Sequence, residues 1–217
     1  LNRVFFRSDI KQKPMKNIIT ILTMVILYSC SVDAQIIERE LRDEVIIENE
    51  VFKVWYSEVK EQPKKLVYTS TNRIKNVDRG SMNFYTEEEV QTSNNSDYYK
   101  NVWDKGHLAP AATYSDSMEN LKQTFSYLNC ALQDQYLNRG EWRLLEEQER
   151  KWDDIENLTI TVELVWEEGF EILPTKGHVP THMIKHIYFE ESGSCRKFVF
   201  PNAKPTKGWE EYEVDCN

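Results

Sequence analysis

In residues 158–166, Leu158, Ile160, Val162 and Leu164 alternate with Thr159, Thr161 and Glu163. A strand sends successive side chains to opposite faces, so this run can bury one face and leave the other polar, whereas a helix of 3.6 residues per turn cannot. Segments rich in β-branched and aromatic residues recur at 51–57, 65–71, 184–189 and 197–200 and are read as further strands. The first two, joined through Gln62 and Pro63, predict a hairpin or two adjacent antiparallel strands. Residues 72–100 are polar, hold the turn cluster Asn94, Asn95, Ser96 and Asp97, and read as loop. A buried segment is expected over 121–128, and the strongest helix in the chain over 137–152. In that helix Asn138, Trp142, Glu146 and Arg150 recur at every fourth position, which on a regular helix confines them to an arc of about 120°. Strands and helices in succession, in a chain of 217 residues without internal repeats, predict one α+β domain.

The N-terminal residues are set apart from that domain. Residues 17–28 are apolar, short, and preceded by Lys11, Lys13 and Lys16, the order of an export signal. Met15 and Lys16 suggest a start there, so 1–34 is expected to be an upstream extension plus export signal, 35–50 a charged leader, and 51–217 the domain. Ala34 before Gln35 suits release of a soluble exported product, secreted or periplasmic. The alternative is a lipoprotein at the cell surface, anchored through Cys30, and that anchor is the one membrane contact the sequence suggests. An oxidising compartment permits disulfides. Cys195 and Cys216 are placed to pin the Pro- and Gly-containing tail between them, while Cys130 is read as a small buried hydrophobe.

Chemistry concentrates in the middle of the chain. Asp104, Lys105, Gly106 and His107 join a charged pair, a glycine that permits close backbone approach, and a side chain that can take a proton near neutral pH. By itself such a tetrapeptide arises easily by chance. It is followed by Asn129, then by Asn138, Arg139, Gly140, Glu141 and Trp142, and then by Glu146 and Arg150. In order and spacing this set resembles the DNA/RNA non-specific endonuclease family, the ββα-metal or His-Me finger nucleases. The resemblance runs from about Val51 to Tyr212.

The resemblance implies a mainly antiparallel sheet flanked by helices, with a ββα-metal catalytic element over residues 103–150. It implies His107 as general base, Asn138 as the metal-holding amide, Glu146 as acceptor for the ion's hydration water, and Arg150 facing a phosphate. Asn129 matches a second asparagine near the site, with a positional role or, with Lys105 and Arg79, a substrate-binding one. Arg73 is the alternative to Arg79. The implied cofactor is Mg²⁺, with Mn²⁺ as a substitute, and no small-molecule cofactor. The implied partners are DNA and RNA, cut with little sequence preference to leave 5′-phosphates. Hard oxygen ligands and several retained waters suit Mg²⁺. The family's usual Asp-Arg-Gly-His is varied here, because Lys105 keeps the charge of the arginine but not its planar fork.

Net charge runs against a nucleic-acid binder. The chain carries −9, and residues 1–34 hold Arg3, Arg7, Lys11, Lys13 and Lys16 against Asp9 and Asp33, which leaves the remainder near −12. Phosphate binding therefore requires a local basic cluster or a bound cation. An exported binding protein on a catalytically weakened nuclease scaffold is the alternative, and a phosphodiesterase for smaller nucleotides a third reading. Trp142 is read as packing. His178, His182 and His186 are read as structural, since Gly177, Pro180 and the strand-like residues after them disfavour the helix that would align three ligands.

Overall fold

The alternation at residues 158–166 becomes β6, Leu158–Val165, in which every second side chain is buried. A computed structural model describes residues 39–216; the export segment and Cys30 lie outside them. Seven strands form one antiparallel sheet in the order β1-β2-β3-β6-β7-β8-β9. They are β1 (Val45–Glu48), β2 (Phe52–Ser57), β3 (Gln62–Ser70), β6, β7 (His182–Phe189), β8 (Cys195–Pro201) and β9 (Glu213–Val214). Two expectations are corrected. The 35–50 leader contains β1, an edge strand paired with β2 from Val45↔Tyr56 to Glu48↔Lys53. Gln62 and Pro63 belong to β3, and the chain instead reverses just before them, with Glu61 at φ +52°. Pro63 is tolerated because it faces Tyr56 next to a bulge in β3, where Lys64 is the extra residue and the ladder is already irregular.

Inserted between β3 and β6 is the second unit of architecture. Its strands β4 (Trp103–His107) and β5 (Cys130–Asp134) pair antiparallel from Trp103↔Asp134 to His107↔Cys130. Between them lies α1 (Met118–Thr124). From β5 the chain passes directly into α2 (Gln135–Leu137), a π-turn (Asn138–Trp142) and α3 (Arg143–Trp152). Asp134 caps the start, accepting from the backbone N–H of Tyr136 at 2.9 Å and of Leu137 at 3.1 Å.

The core lies between this helical run and the sheet. Leu137, Trp142 and Leu145 pack in one cluster with Val54, Tyr56, Leu66, Tyr68, Ile160, Val162, Met183, Ile187, Phe198 and Phe200. Each fully buried large apolar side chain contributes on the order of 1.5–3 kcal/mol, so this face holds the helix in place. The tail is pinned as expected, by a Cys195–Cys216 disulfide with Cα atoms 6.2 Å apart, and Cys130 is free and buried. Among the described residues no helix is long and apolar enough to cross a membrane.

Candidate active site

Residues alternate along β4, so Trp103, Lys105 and His107 share one face while Asp104 and Gly106 take the other. Gly106 is required by packing. A Cβ there would lie 2.2 Å from Gln133 Oε1 and 2.7 Å from Gln133 Cβ on the paired strand. His107, at the end of β4, stands against the rings of Phe84 at 4.7 Å and Phe125 at 5.0 Å between centroids. Its Nε2 is buried and has no hydrogen-bond partner among the described residues. Burial first, and then the nearby Arg79 charge, push the imidazole down to about 3, which keeps it neutral at physiological pH.

The helical run supplies the opposite wall. Asp104 Oδ2 accepts from Asn138 Nδ2 at 2.9 Å, and Arg139 grips the same carboxylate through Nε at 2.7 Å and Nη2 at 2.6 Å. With its amide nitrogen held there, Asn138 keeps its oxygen as the end available to a ligand. The π-turn, with Gly140 at φ −106° and ψ −111°, breaks the regular spacing between Asn138 and the residues after it. Trp142, Glu146 and Arg150 keep that spacing and Glu146 interacts with both of the others, yet the expected four-residue face does not all meet the cleft. Asn138 and Glu146 line the cleft, Trp142 is 1% exposed in the core, and Arg150 is off the wall. The packing role expected for Trp142 is what the structure shows.

The cleft has a volume of ≈ 740 Å³ and is lined by His107, Lys105, Arg79, Asn138, Glu146, Asp104, Arg139 and Arg143 together with Phe84, Phe125, Tyr98 and Trp103. Five of the seven residues singled out in the sequence thus converge. Asn129 does not; its substrate contact is corrected, and its hydrogen bonds fit the positional role instead. It is fully buried, its oxygen accepting from Ala109 N at 2.7 Å and its amide donating to the carbonyls of Ala109 and Thr124, both at 2.9 Å. Its work is to clamp the turn that follows His107. Arg150 acts on Glu146 electrostatically without lining the cleft, and its Nη1 is buried with no hydrogen-bond partner among the described residues. Of the two upstream arginines, Arg79 lines the cleft; Arg73 instead lies over Tyr114 at 4.8 Å and 3.6 Å from Asp116.

Beneath Glu146 lies a buried ionic floor. Lys185, on the inner face of β7, donates to Glu149 Oε1 at 2.7 Å, and Tyr68 Oη donates to Glu149 Oε2 at 2.7 Å. The Lys185 ammonium also sits 4.1 Å from the centroid of the Trp142 ring. Burial pushes the Glu146 carboxyl up to about 7, an effect opposed by Lys185, increased by Glu149, and opposed again by Arg150 and Trp142. Among the described residues no three His, Cys, Asp or Glu side chains converge as a metal-ligand set, so His178, His182 and His186 do not form one.

The family model for DNA/RNA non-specific endonucleases matches residues 39–217. The chain belongs to that family. Among curated relatives it is 32% identical over 149 residues to mitochondrial endonuclease G of Bos taurus, covering 58% of this chain and 48% of that protein. It is 26% identical over 170 residues to mitochondrial nuclease EXOG of Xenopus laevis, covering 68% and 48%. The chain spans about half the length of both. A chain in the crystal structure of the EndoG/EndoGI complex matches with a TM-score of 0.71 at 23% identity, over 78% of this chain and 80% of that one, and so shares its fold. In this endonuclease-family member the sequence reading missed Arg139, Arg143 and the aromatic wall, and gave Asp104 no role. Arg139 stands next to Asn138 in sequence, a signal that was available; Phe84 lies in a loop whose sequence carries none.

Proposed function

We propose that this chain is a cation-dependent endonuclease that hydrolyses phosphodiester bonds of DNA and RNA with little sequence preference. The observation that carries the reading is His107, held neutral and facing Asn138 and Glu146 across one cleft. The His107 imidazole takes the proton of the attacking water as the water's oxygen bonds to phosphorus, and the bond to the 3′ oxygen breaks, leaving a 5′-phosphate. A phosphate entering beside the imidazole places negative charge there and raises its proton affinity from the low value of the empty cleft. Arg79 and Lys105, beside an Arg139 paired with Asp104 and an Arg143 paired with Glu147, give the cleft a local basic excess within an acidic chain.

One amide oxygen and one carboxylate suit Mg²⁺, a hard cation that takes oxygen ligands and keeps several waters. Asn138 would hold the ion and Glu146 would orient its hydration shell. When bound, Mg²⁺ supplies stabilisation of the charge that develops on the phosphate and on the departing oxygen. Because recognition falls on phosphates rather than on base edges, sequence preference is slight. The Cys195–Cys216 bridge favours an exported location, since such bonds persist outside reducing compartments.

The test is incubation with supercoiled plasmid and with RNA, in Mg²⁺ or in chelator, beside His107→Ala. Cation-dependent cleavage reduced about a thousandfold in the variant is expected. A wild-type protein inert with Mg²⁺ and Mn²⁺ would sink the reading.

A further inference from the structure

We infer that a track of exposed aromatic and basic side chains, leading out of the cleft at the Trp103 end of β4, binds single-stranded nucleic acid by stacking a base on Tyr136. The position of this track relative to the reacting phosphate rests on the nuclease reading; the binding itself does not. From His107 to Trp103 the strand advances about 13 Å at roughly 3.3 Å per residue. That distance spans roughly two to four nucleotides, at about 3.4 Å each when stacked and about twice that when extended.

Beyond Trp103 the surface changes character. Val102 is 50% exposed, and its carbonyl accepts from Gln135 N at 3.3 Å, which brings the loop before β4 against the start of α2. The next residue, Tyr136, is 55% exposed. Tyr136 and Arg139 are three residues apart in one helical run, and their side chains lie within electrostatic range of each other, so the track is continuous with the cleft wall. Lys204 Nζ lies 5.0 Å from the centre of the Tyr136 ring. The chain is anchored two residues before Lys204, where buried Asn202 accepts from Asp134 N at 2.8 Å and donates to the carbonyls of Leu132 and Pro180, both at 2.9 Å. Tyr99, 67% exposed beside Lys100, repeats the pairing of ring and cation on the loop before β4.

A chain of net charge −9 repels polyanions over most of its surface, so rings interleaved with cations next to the cleft mark where a strand can leave it. An exposed ring offers its π-face to any unpaired base and offers nothing to a base already stacked inside a duplex. The occupant is therefore a single strand, or a frayed end, and not an intact duplex.

The full chain carrying His107→Ala, which removes cleavage, is titrated with labelled oligothymidylates of three and six nucleotides and with a short hairpin duplex. The hexanucleotide is expected to bind about tenfold tighter than the trinucleotide. Tyr136→Ser is expected to abolish that gain, Tyr136→Phe to keep it, and Lys204→Ala to reduce the salt dependence of hexanucleotide binding by about one counterion. A hexanucleotide with no advantage, or an advantage that survives Tyr136→Ser, overturns the proposal. So does its loss in Tyr136→Phe, which would assign the effect to the hydroxyl. The two readings fail separately: length-dependent binding without wild-type cleavage removes the nuclease and keeps the track, and cleavage without length dependence does the reverse.

Discussion

Replacing Lys185 by methionine tests whether the floor beneath the candidate catalytic helix is held by charge. Lys185 and Glu149 are both fully buried, 2.7 Å apart, and without Lys185 the Glu149 carboxylate keeps the Tyr68 phenol as its remaining hydrogen bond. Methionine fills a similar volume, so the loss is electrostatic. Stranding one member of a buried ion pair costs about 3–5 kcal/mol, because the desolvated charge is left uncompensated. For a chain of this size that corresponds to a fall in Tm of roughly 6–20 °C. Thermal and urea unfolding of Lys185→Met would be compared with Glu149→Leu and with the double variant. Removing both charges is expected to recover most of the stability, since well-packed apolar pairs often match buried ionic ones. A single variant within about 1 kcal/mol of wild type, or a double variant as unstable as the two losses added together, would refute the reasoning. Because Lys185 also opposes the rise of the Glu146 carboxyl, the same variant should move that group above about 7.

Three further outcomes follow from the geometry. Gly106→Ala should cost about 1–3 kcal/mol and lower cleavage, because its methyl group meets Gln133 and shifts β4 beneath His107; calorimetry beside a plasmid assay checks this, and an unaltered Tm contradicts it. Glu58, hydrogen-bonded first by the Arg42 guanidinium, titrates at about 2 against an ordinary value of 4.5. Its contribution is therefore complete above pH 4.5 and lost as pH falls through about 2, and Arg42→Ala should flatten acid unfolding across that window. Glu146, raised to about 7, makes the cation-free protein lose stability as pH rises from 4.5 to 7. Mg²⁺ binding near pH 6 should release close to one proton, and calorimetry in buffers of different ionisation enthalpy would reveal its absence.

Local pattern was sufficient for much of the fold. Period-two alternation marks β6 because one face of a sheet must be apolar, and β-branched and aromatic runs mark β2, β3, β7 and β8 for the same reason. The order of Asp104, His107, Asn138 and Glu146 was enough to indicate the family, and the family model confirms it. The short edge strand β1 was not legible. Four residues among charged neighbours carry too little periodicity, and its pairing with β2 is a contact between distant parts of the chain.

What only the tertiary structure decided is which side chains face the cleft. Regular helical spacing puts Asn138, Trp142, Glu146 and Arg150 on one face. Packing against the sheet instead holds Trp142 in the core and leaves Asn138 and Glu146 lining the cleft with His107. Asn129 has the same chemistry as Asn138, yet it is consumed by three backbone hydrogen bonds because α1 and the turn after His107 close over it. Lys185, which no sequence pattern singles out, becomes the buried partner of Glu149 because its strand turns that face to the helix. Composition and periodicity are properties of neighbours along the chain, and they determined the strands, the helix and the family. Burial, proton affinity and the convergence of a site depend on groups that folding brings together from far apart in sequence, and no local pattern encodes them.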